Sequence, residues 1–306
     1  MAVPTPLPSP EAPLDFGPVR FLPGHKGGRY PYCHSLIITG EETWVVDPAS
    51  DKARLGELAR SGRVTRVFLS HFHEDHLKYA FLFPDAAFYV PAPEVPAFLS
   101  FEGIFALTGI TDPVFQEYLR ETLVRDFHFR PFPRLHPYRP GDRFALGAVV
   151  LEIQAAPGHT PGHSCFAFPA QDLWYLADVD LTPFGPWYGD AASCLEDYLD
   201  TLAALQDTRA GVYLTAHEQG VFTPRQAREG FAYFFQVIEE RDTRILELLR
   251  TPRSLEDLVA EHPIYRRPRE PAFVYDHMER QMVSHHLHRL LKQGKVQATE
   301  TGWVRG

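Results

Sequence analysis

The segment 70–76, with the sequence SHFHEDH, constrains what this chain can fold into more than any other segment. It follows the apolar run 67–69, which predicts a buried strand that ends at Ser70. Its metal-type side chains are His71, His73, Asp75 and His76. In extended backbone, residues two apart point the same way, so the first two histidines can bind one metal together. The acid and the last histidine lie where the chain leaves the strand and can turn toward a second metal. Zinc and iron both accept this mixture of imidazole nitrogen and carboxylate oxygen.

Three later segments each place a metal-type residue just after an apolar, strand-like run. These residues are His159, Asp178 and His217. The first lies in a turn formed by two Pro-Gly pairs, which can hold its imidazole rigidly. Taken singly, each would be interpreted as a turn residue, a helix cap or a solvated loop histidine. In layered α/β folds, however, strand ends at one edge of the sheet form the site, so we expect all of these residues to meet.

The order of these motifs resembles the metallo-β-lactamase-fold superfamily. The sequence has H-x-H-x-D-H, then GHTPGHS at 158–164, then a strand that ends in Asp and a strand that ends in His. The resemblance covers about residues 18–225 and implies an α/β (α+β) fold, a four-layer αββα sandwich. It implies that one metal is held by His71, His73 and His159, and a second by Asp75, His76 and His217, with Asp178 as a bridge. Asp47, at the end of an early strand, looks like the aspartate that supports the ligands in this family.

The resemblance also implies a metallohydrolase with two divalent ions, zinc first, with iron or manganese as alternatives. Two ions about 3.5–4 Å apart bridge a hydroxide that attacks a carbonyl carbon or a phosphorus, and we predict that Asp75 also orients this nucleophile. The substrate is then an ester, thioester, lactone or phosphodiester. A bridging Asp178 is typical of glyoxalase II-like, ribonuclease-like and lactonase-like branches, so we do not expect a true β-lactamase. A mononuclear iron persulfide dioxygenase, which needs only His71, His159 and Asp178, is an alternative.

Three parts are predicted along the chain: a flexible arm at 1–17, the catalytic domain at 18–239 and a C-terminal domain at 240–306. Helices at about 226–249, after Ser254 and at about 278–291, followed by a short hairpin, resemble a winged helix. A branch of the superfamily that includes endoribonucleases carries such a domain.

The third of these helices offers residues that are expected to be exposed and able to meet phosphates: His285, His286, His288 and Arg289. They make an endoribonuclease, or a nucleic-acid-binding protein with an accessory catalytic domain, an alternative. From Arg225 onward, however, 14 Lys and Arg face 12 Asp and Glu, a balance of only +2. This weak charge favours a module that packs against the core or a partner.

The segment at about 92–135 is unusually rich in aromatic residues. It predicts a lid or pocket wall over the metals, or alternatively a packing insert or a homodimer contact. Of the net charge of −9, the first 224 residues carry −11, which argues against broad nucleic-acid binding by the catalytic body. We therefore expect a small-molecule acyl or phosphodiester substrate.

The cellular compartment is predicted from cysteine usage and apolar patterning. The three cysteines, Cys33, Cys165 and Cys194, are widely spaced and form no disulfide framework, which fits a reducing cytoplasm. No apolar stretch of 18 residues occurs, so we expect no membrane span and no membrane partner. The first thirteen residues lack a positive charge and an apolar core, which is atypical of a signal peptide.

Overall fold

The computed structural model describes residues 8–306 and builds them from two large sheets, a small hairpin and nine α-helices. The strands are β1 (Leu14–Phe16), β2 (Val19–Leu22), β3 (Ser35–Thr39), β4 (Thr43–Val46), β5 (Val64–Phe68), β6 (Ala87–Pro91), β7 (Leu135–Tyr138), β8 (Arg143–Leu146), β9 (Val149–Ala155), β10 (Ser164–Phe168), β11 (Leu173–Tyr175), β12 (Val212–Leu214), β13 (Val221–Phe222), β14 (Val296–Thr299) and β15 (Gly302–Arg305). The helices are α1 (Lys52–Arg60), α2 (Glu74–Leu77), α3 (Val95–Leu99), α4 (Phe101–Thr108), α5 (Pro113–Asp126), α6 (Leu195–Gln206), α7 (Pro224–Leu248), α8 (Leu255–Ala260) and α9 (Ala272–Lys292).

The first sheet has seven strands in the order β1 to β7, antiparallel from β1 to β4 and parallel from β4 to β7. The second has six, in the order β13-β12-β11-β10-β9-β8, with one parallel pair between β11 and β12. Strands β3 and β4 are apolar and almost wholly buried, as expected for strands covered on both faces. Strand β9 alternates buried and half-buried residues, so one of its faces packs inward.

Three apolar clusters show that the molecule has four layers. The cluster between the sheets contains Phe21, Trp44, Phe68, Phe166 and Tyr175. The outer face of the first sheet packs against α1, α3, α4 and α5 through a second cluster. The outer face of the second sheet packs against α6, α7 and α9 through a third. The predicted αββα sandwich is therefore confirmed.

The histidine motif leaves the sheet earlier than the sequence predicted. Strand β5 ends at Phe68 rather than at Ser70, and His71 and His73 lie in the loop that leads into α2. The reason is Asp47, whose carboxylate accepts hydrogen bonds from both the backbone N–H and the hydroxyl of Ser70. These bonds replace the next rung of the ladder, so a side-chain contact rather than strand alternation sets the direction of both imidazoles.

Residues 1–7 lie outside the described residues, and β1 joins the edge of the first sheet within the range predicted as an arm. The aromatic segment forms α3, α4 and α5, and Phe98, Phe129 and Phe132 pack into the cluster on the outer face of the first sheet. Its role as a lid stays a prediction.

The C-terminal part has the predicted order of helices and hairpin, and its resemblance to a winged helix stays a prediction. Helix α9 begins at Ala272, earlier than predicted. The expected exposure of its polar residues is wrong for His286, which is fully buried, while His288 is exposed. His285 and Arg289 are half-buried and bind the carbonyl of Asp190 and the carboxylate of Glu196, respectively. Within residues 8–306, no helix is long and apolar enough to cross a membrane.

Candidate metal centre

The structure brings all seven predicted metal-type residues together, in two neighbouring groups. The ligand atoms within each group lie within 4.8 Å of one another. We call the first group cluster one (His71, His73, His159 and Asp178) and the second cluster two (Asp75, His76 and His217). Every member lies in a loop or short helix that follows a strand, at one edge of the two sheets. Both clusters could hold metal ions.

In cluster one, three imidazole nitrogens face a common point. The Nδ1 atom of His73 lies 3.0 Å from Nε2 of His71 and 3.0 Å from Nε2 of His159, and the latter two atoms are 3.3 Å apart. Tetrahedral zinc with bonds of 2.0–2.1 Å places its nitrogen ligands about 3.3 Å from one another. The three nitrogens therefore already have the spacing of a tetrahedral face.

The opposite nitrogen of each imidazole in cluster one has its own partner. Nε2 of His73 donates to Oδ2 of Asp190 at 2.7 Å, and Nδ1 of His159 donates to the carbonyl of Trp187 at 2.9 Å. Nδ1 of His71 lies 3.0 Å from the hydroxyl of Ser70. When the outer nitrogens of His73 and His159 carry the protons, their inner nitrogens present lone pairs, which is the form that binds metal.

The pKa values of the three imidazoles in cluster one differ. Burial lowers the pKa of His71 and of His159 well below the usual value, so both are neutral. Burial also acts to lower the pKa of His73, but the adjacent Asp190 carboxylate outweighs it and raises that pKa to about 9. A proton and a metal ion therefore compete for His73.

The carboxylate of Asp178 spans both clusters. Its Oδ2 lies 3.3 Å from Nε2 of His159 and 3.8 Å from Nε2 of His71. Its Oδ1 lies 2.8 Å from Nε2 of His76 and 3.3 Å from Nε2 of His217. Asp75 completes the second side, with Oδ2 at 3.6 Å from Nε2 of His217. Thus Oδ2 of Asp178 faces the histidines of cluster one, and Oδ1 faces those of cluster two.

Cluster two also has oriented imidazoles. Nδ1 of His76 bonds Oδ2 of Asp47 at 2.9 Å, and Nδ1 of His217 donates to the carbonyl of Gly28 at 2.6 Å. Nε2 of His76 and Oδ1 of Asp178 are buried and make no hydrogen bond among the described residues, although they lie 2.8 Å apart. Buried polar atoms without a partner are costly, and a cation between these groups would satisfy both. The donor set therefore fits metal ions.

Asp47 is a buried carboxylate that binds Ser70, His76 and Tyr175. Its carboxylate accepts hydrogen bonds from the N–H of Ser70 at 2.8 Å, the hydroxyl of Ser70 at 2.7 Å, Nδ1 of His76 at 2.9 Å and the hydroxyl of Tyr175 at 2.8 Å. Its φ of 47° lies in the left-handed region, where aspartate is tolerated better than most residues. The sequence analysis had singled out this residue from the early strand.

Two further buried residues orient the ligand loops. His163 donates from Nδ1 to the carbonyl of Ala156 at 2.8 Å and accepts the N–H of Asp178 on Nε2 at 3.0 Å. Burial lowers the pKa of His163 to about 4, so its imidazole stays neutral and keeps this acceptor. Glu94 accepts from the hydroxyl of Thr160 and, at 2.7 Å, from the N–H of Gly162, which fixes the turn that carries His159.

The sequence analysis assigned no role at this site to Asp190 or Glu94. Asp190 is 117 positions from His73, in a loop rich in Pro and Gly that offers no strand pattern. The indole of Trp187 packs on the rings of His73 and His159, with centroids 5.3 and 5.4 Å apart, and so walls cluster one. No local signal distinguishes such groups from ordinary loop residues.

Comparisons with known proteins agree with this geometry. The family model of the Metallo-beta-lactamase superfamily matches residues 31–217, which include both clusters. The hydroxyacylglutathione hydrolase of Fuscovulum blasticum is 31% identical over 137 residues, which are 44% of this chain and 42% of that protein. The atrochrysone carboxyl ACP thioesterase of Paecilomyces divaricatus is 24% identical over 192 residues, which are 60% of this chain and 48% of that protein. The chain thus spans less than half the length of these two relatives.

Solved structures extend the likeness beyond the matched domain. A metallo-beta-lactamase family protein from Thermus thermophilus superimposes with a TM-score of 0.72 at 21% identity. The superposition covers 94% of this chain and 99% of that one. At this identity the likeness shows the fold alone, and it includes most of the C-terminal helices as well as the sandwich.

Proposed function

Because the chain belongs to the Metallo-beta-lactamase superfamily, we propose that it is a binuclear metal-dependent hydrolase that cleaves an ester or thioester of a small molecule. The observation that carries the proposal is the position of Asp178, whose two oxygens face two separate groups of imidazole nitrogens. A carboxylate shared in this way suits a pair of ions and suits a single ion less well.

In this proposal each cluster holds one ion. His71, His73 and His159 would hold the first, Asp75, His76 and His217 would hold the second, and Asp178 would serve both. Zinc is the first candidate because tetrahedral zinc sites use these donor types, and iron and manganese remain outcomes of the metal analysis. Bound divalent ions supply Lewis-acid polarisation of a substrate oxygen and lower the pKa of water toward 7.

The residues of the chain do the positioning. Asp75 lies at the rim of cluster two, with one oxygen 3.6 Å from His217 and a side chain about one-tenth exposed, so it can accept a hydrogen bond from an incoming water molecule. Trp187 covers cluster one and excludes bulk solvent from that side. Its indole N–H donates to the hydroxyl of Tyr265 at 3.0 Å, which extends an aromatic wall away from the metals.

An acyl substrate is favoured over nucleic acid by the C-terminal helices. Of the four residues of α9 proposed to meet phosphates, three turn toward the protein. His285 bonds the carbonyl of Asp190, His286 bonds Tyr188, and Arg289 bonds Glu196. Two relatives are named as a hydroxyacylglutathione hydrolase and an ACP thioesterase, and both names describe acyl-sulfur substrates.

The test combines metal content with turnover. Elemental analysis of the unchelated protein should give close to two metal ions per chain, and a panel of esters, thioesters, lactones and phosphodiesters should include an acyl substrate. Asp178→Ala should lose both metal and turnover. His288→Ala, which removes an exposed histidine of α9, is the matched control and should keep both.

Three results would contradict the proposal. One iron per chain with oxygen uptake on a persulfide would indicate a dioxygenase. Turnover of phosphodiesters alone, with salt-dependent binding of RNA, would indicate a ribonuclease. An Asp178→Ala protein that retained two ions would remove Asp178 from the metal site.

A further inference from the structure

The loop 182–190 reaches the metal centre and is held from behind by the C-terminal helices. On its inner side, the carbonyl of Trp187 accepts from His159 at 2.9 Å and Asp190 accepts from His73 at 2.7 Å. These two contacts fix which nitrogen of each imidazole faces the metal. Whatever fixes the loop therefore fixes two of the three imidazoles of cluster one.

The main anchor of the loop is Arg241, on α7. Its guanidinium is almost completely buried. Nη1 donates to the carbonyl of Pro186 at 2.6 Å and to the hydroxyl of Tyr188 at 2.9 Å, and Nη2 donates to the carbonyl of Phe184 at 2.8 Å. A buried cation is costly unless it is hydrogen-bonded, and all three acceptors of its Nη atoms come from the same short loop. Its Nε is buried and makes no hydrogen bond among the described residues. The guanidinium also lies over the ring of Phe184, 4.8 Å from its centroid.

A directed chain of hydrogen bonds continues from this anchor to α9. Arg241 donates to Tyr188, and the hydroxyl of Tyr188 donates to Nε2 of His286 at 2.8 Å. Nδ1 of His286 donates to Oδ1 of Asp242 at 2.6 Å. Burial lowers the pKa of His286, which keeps the imidazole neutral and its Nε2 able to accept. The chain runs from a buried cation to a buried carboxylate without a conflict of donors, so it specifies one geometry of the loop.

We propose that Arg241 is a positioning residue for cluster one, and that it acts through loop 182–190. The proposal rests on the proposed function in one respect, namely that cluster one holds a metal ion. Among the described residues, the hydrogen bonds of Arg241 go to this loop, and none goes to a residue of either cluster. It holds the backbone at Phe184 and Pro186 so that Trp187 and Asp190 meet His159 and His73.

The expected effect is confined to one of the two ions. Groups that orient metal ligands typically change metal affinity 10–100-fold when they are removed. Because Arg241 acts one contact further out, we expect a loss of about tenfold at cluster one. The outer nitrogens of cluster two bind Asp47 and the carbonyl of Gly28, which are not part of the loop, so its affinity should not change.

The experiment is a titration of zinc alone into chelator-stripped, full-length protein in competition with a chromophoric chelator, which resolves two binding steps. Arg241→Gln should weaken one step about tenfold and leave the other unchanged. Arg225→Gln is the matched control, since Arg225 lies on the same helix, is 79% exposed and, within residues 8–306, pairs with Glu229. Arg241→Lys, which keeps the charge but cannot reach all three acceptors, should fall between the wild type and Arg241→Gln.

A double-mutant cycle distinguishes positioning of the loop by Arg241 from a nonspecific destabilisation of the protein. If Arg241 acts through the loop, Asp190→Asn already removes part of what Arg241 controls. The double variant should then lose less affinity than the two single losses combined. Fully additive losses, or an equal loss at both steps, would overturn the proposal.

The remaining outcomes are also decisive. A wild-type protein that binds no zinc would refute the proposed function together with this inference. Two zinc ions bound equally well by wild type and Arg241→Gln would refute this inference alone. If Arg241→Gln does not fold, Arg241→Lys takes its place, because it keeps the buried charge but cannot reach the carbonyls of both Phe184 and Pro186. It should weaken the same step severalfold, and unchanged affinities would overturn the proposal.

Discussion

Replacing Asp47 by Asn tests whether one buried carboxylate organises the base of the centre. The change keeps the size of the side chain, and Asn tolerates the left-handed φ of 47° as well as Asp does. It removes a charge that accepts four hydrogen bonds, from two groups of Ser70, from His76 and from Tyr175. The substitution therefore alters the charge and the hydrogen bonding of this position but not its size or backbone conformation.

The magnitude follows from where the new amide group must point. If the NH2 group of the new side chain faced the two hydroxyls and His76, the His76 imidazole would have to carry its proton on Nε2, the nitrogen that faces the metal. If the NH2 group instead faces the N–H of Ser70, that buried backbone donor loses its acceptor, which costs about 1–3 kcal/mol. The three remaining bonds then lose their charge assistance, about 1 kcal/mol each. We expect Asp47→Asn to lower the free energy of unfolding by about 4–6 kcal/mol.

The assay is denaturant unfolding of the protein in excess chelator, so that metal binding does not contribute to the difference. Asp85→Asn, which changes an exposed aspartate of a loop, is the control and should stay within about 0.5 kcal/mol of the wild type. A loss of less than about 1 kcal/mol for Asp47→Asn would refute the reasoning, because no pattern of hydrogen bonds at this position permits so small a cost.

Three further predictions concern pH, ligand orientation and metal removal. Burial raises the pKa of Glu94 from 4.5 to about 7, so the folded state holds this proton more tightly than the unfolded chain. The contribution of Glu94 to stability should therefore fall as the pH rises from 4.5 to 7. The pH dependence of the denaturation midpoint should be flatter in Glu94→Gln. His163→Ala should lower stability by about 1–3 kcal/mol, because it leaves the N–H of Asp178 unpaired, and zinc titration should show weaker binding at both steps. Chelation should lower the melting temperature of the wild type, because it removes about 4 kcal/mol of stability when the metal is at 1,000 times its dissociation constant. The melting temperature of Asp178→Ala should stay unchanged.

The resemblance of the motif order to a known family predicted the fold, and local patterns predicted that the metal-type residues would meet. Apolar runs of strand length are followed by metal-type residues, as at His71 after β5 and His217 after β12. The strand ends of a layered α/β fold meet at one edge, so the ligands could be placed together without knowing any distance. The long helix α7 was predicted in the same way, at about 226–249, from its apolar periodicity.

Long-range contacts could not be predicted, since they depend on how separate elements pack. The exit of the chain at Ser70 is set by Asp47, 23 positions away. The tautomer of His73 is set by Asp190, in a loop without a pattern. His286 was expected to be exposed, yet it is buried and binds Tyr188 and Asp242.

The sequence by itself determined which side chains can hold metal, because apolar runs of strand length and the turn residues that follow them are properties of a few consecutive residues. Only the tertiary structure decided how those side chains are aimed. The orientation of an imidazole depends on the partner of its outer nitrogen, and for His73, His76 and His159 that partner comes from a distant part of the chain. The packing of α7 and α9 against loop 182–190 places two of these partners, and no local pattern encodes that packing.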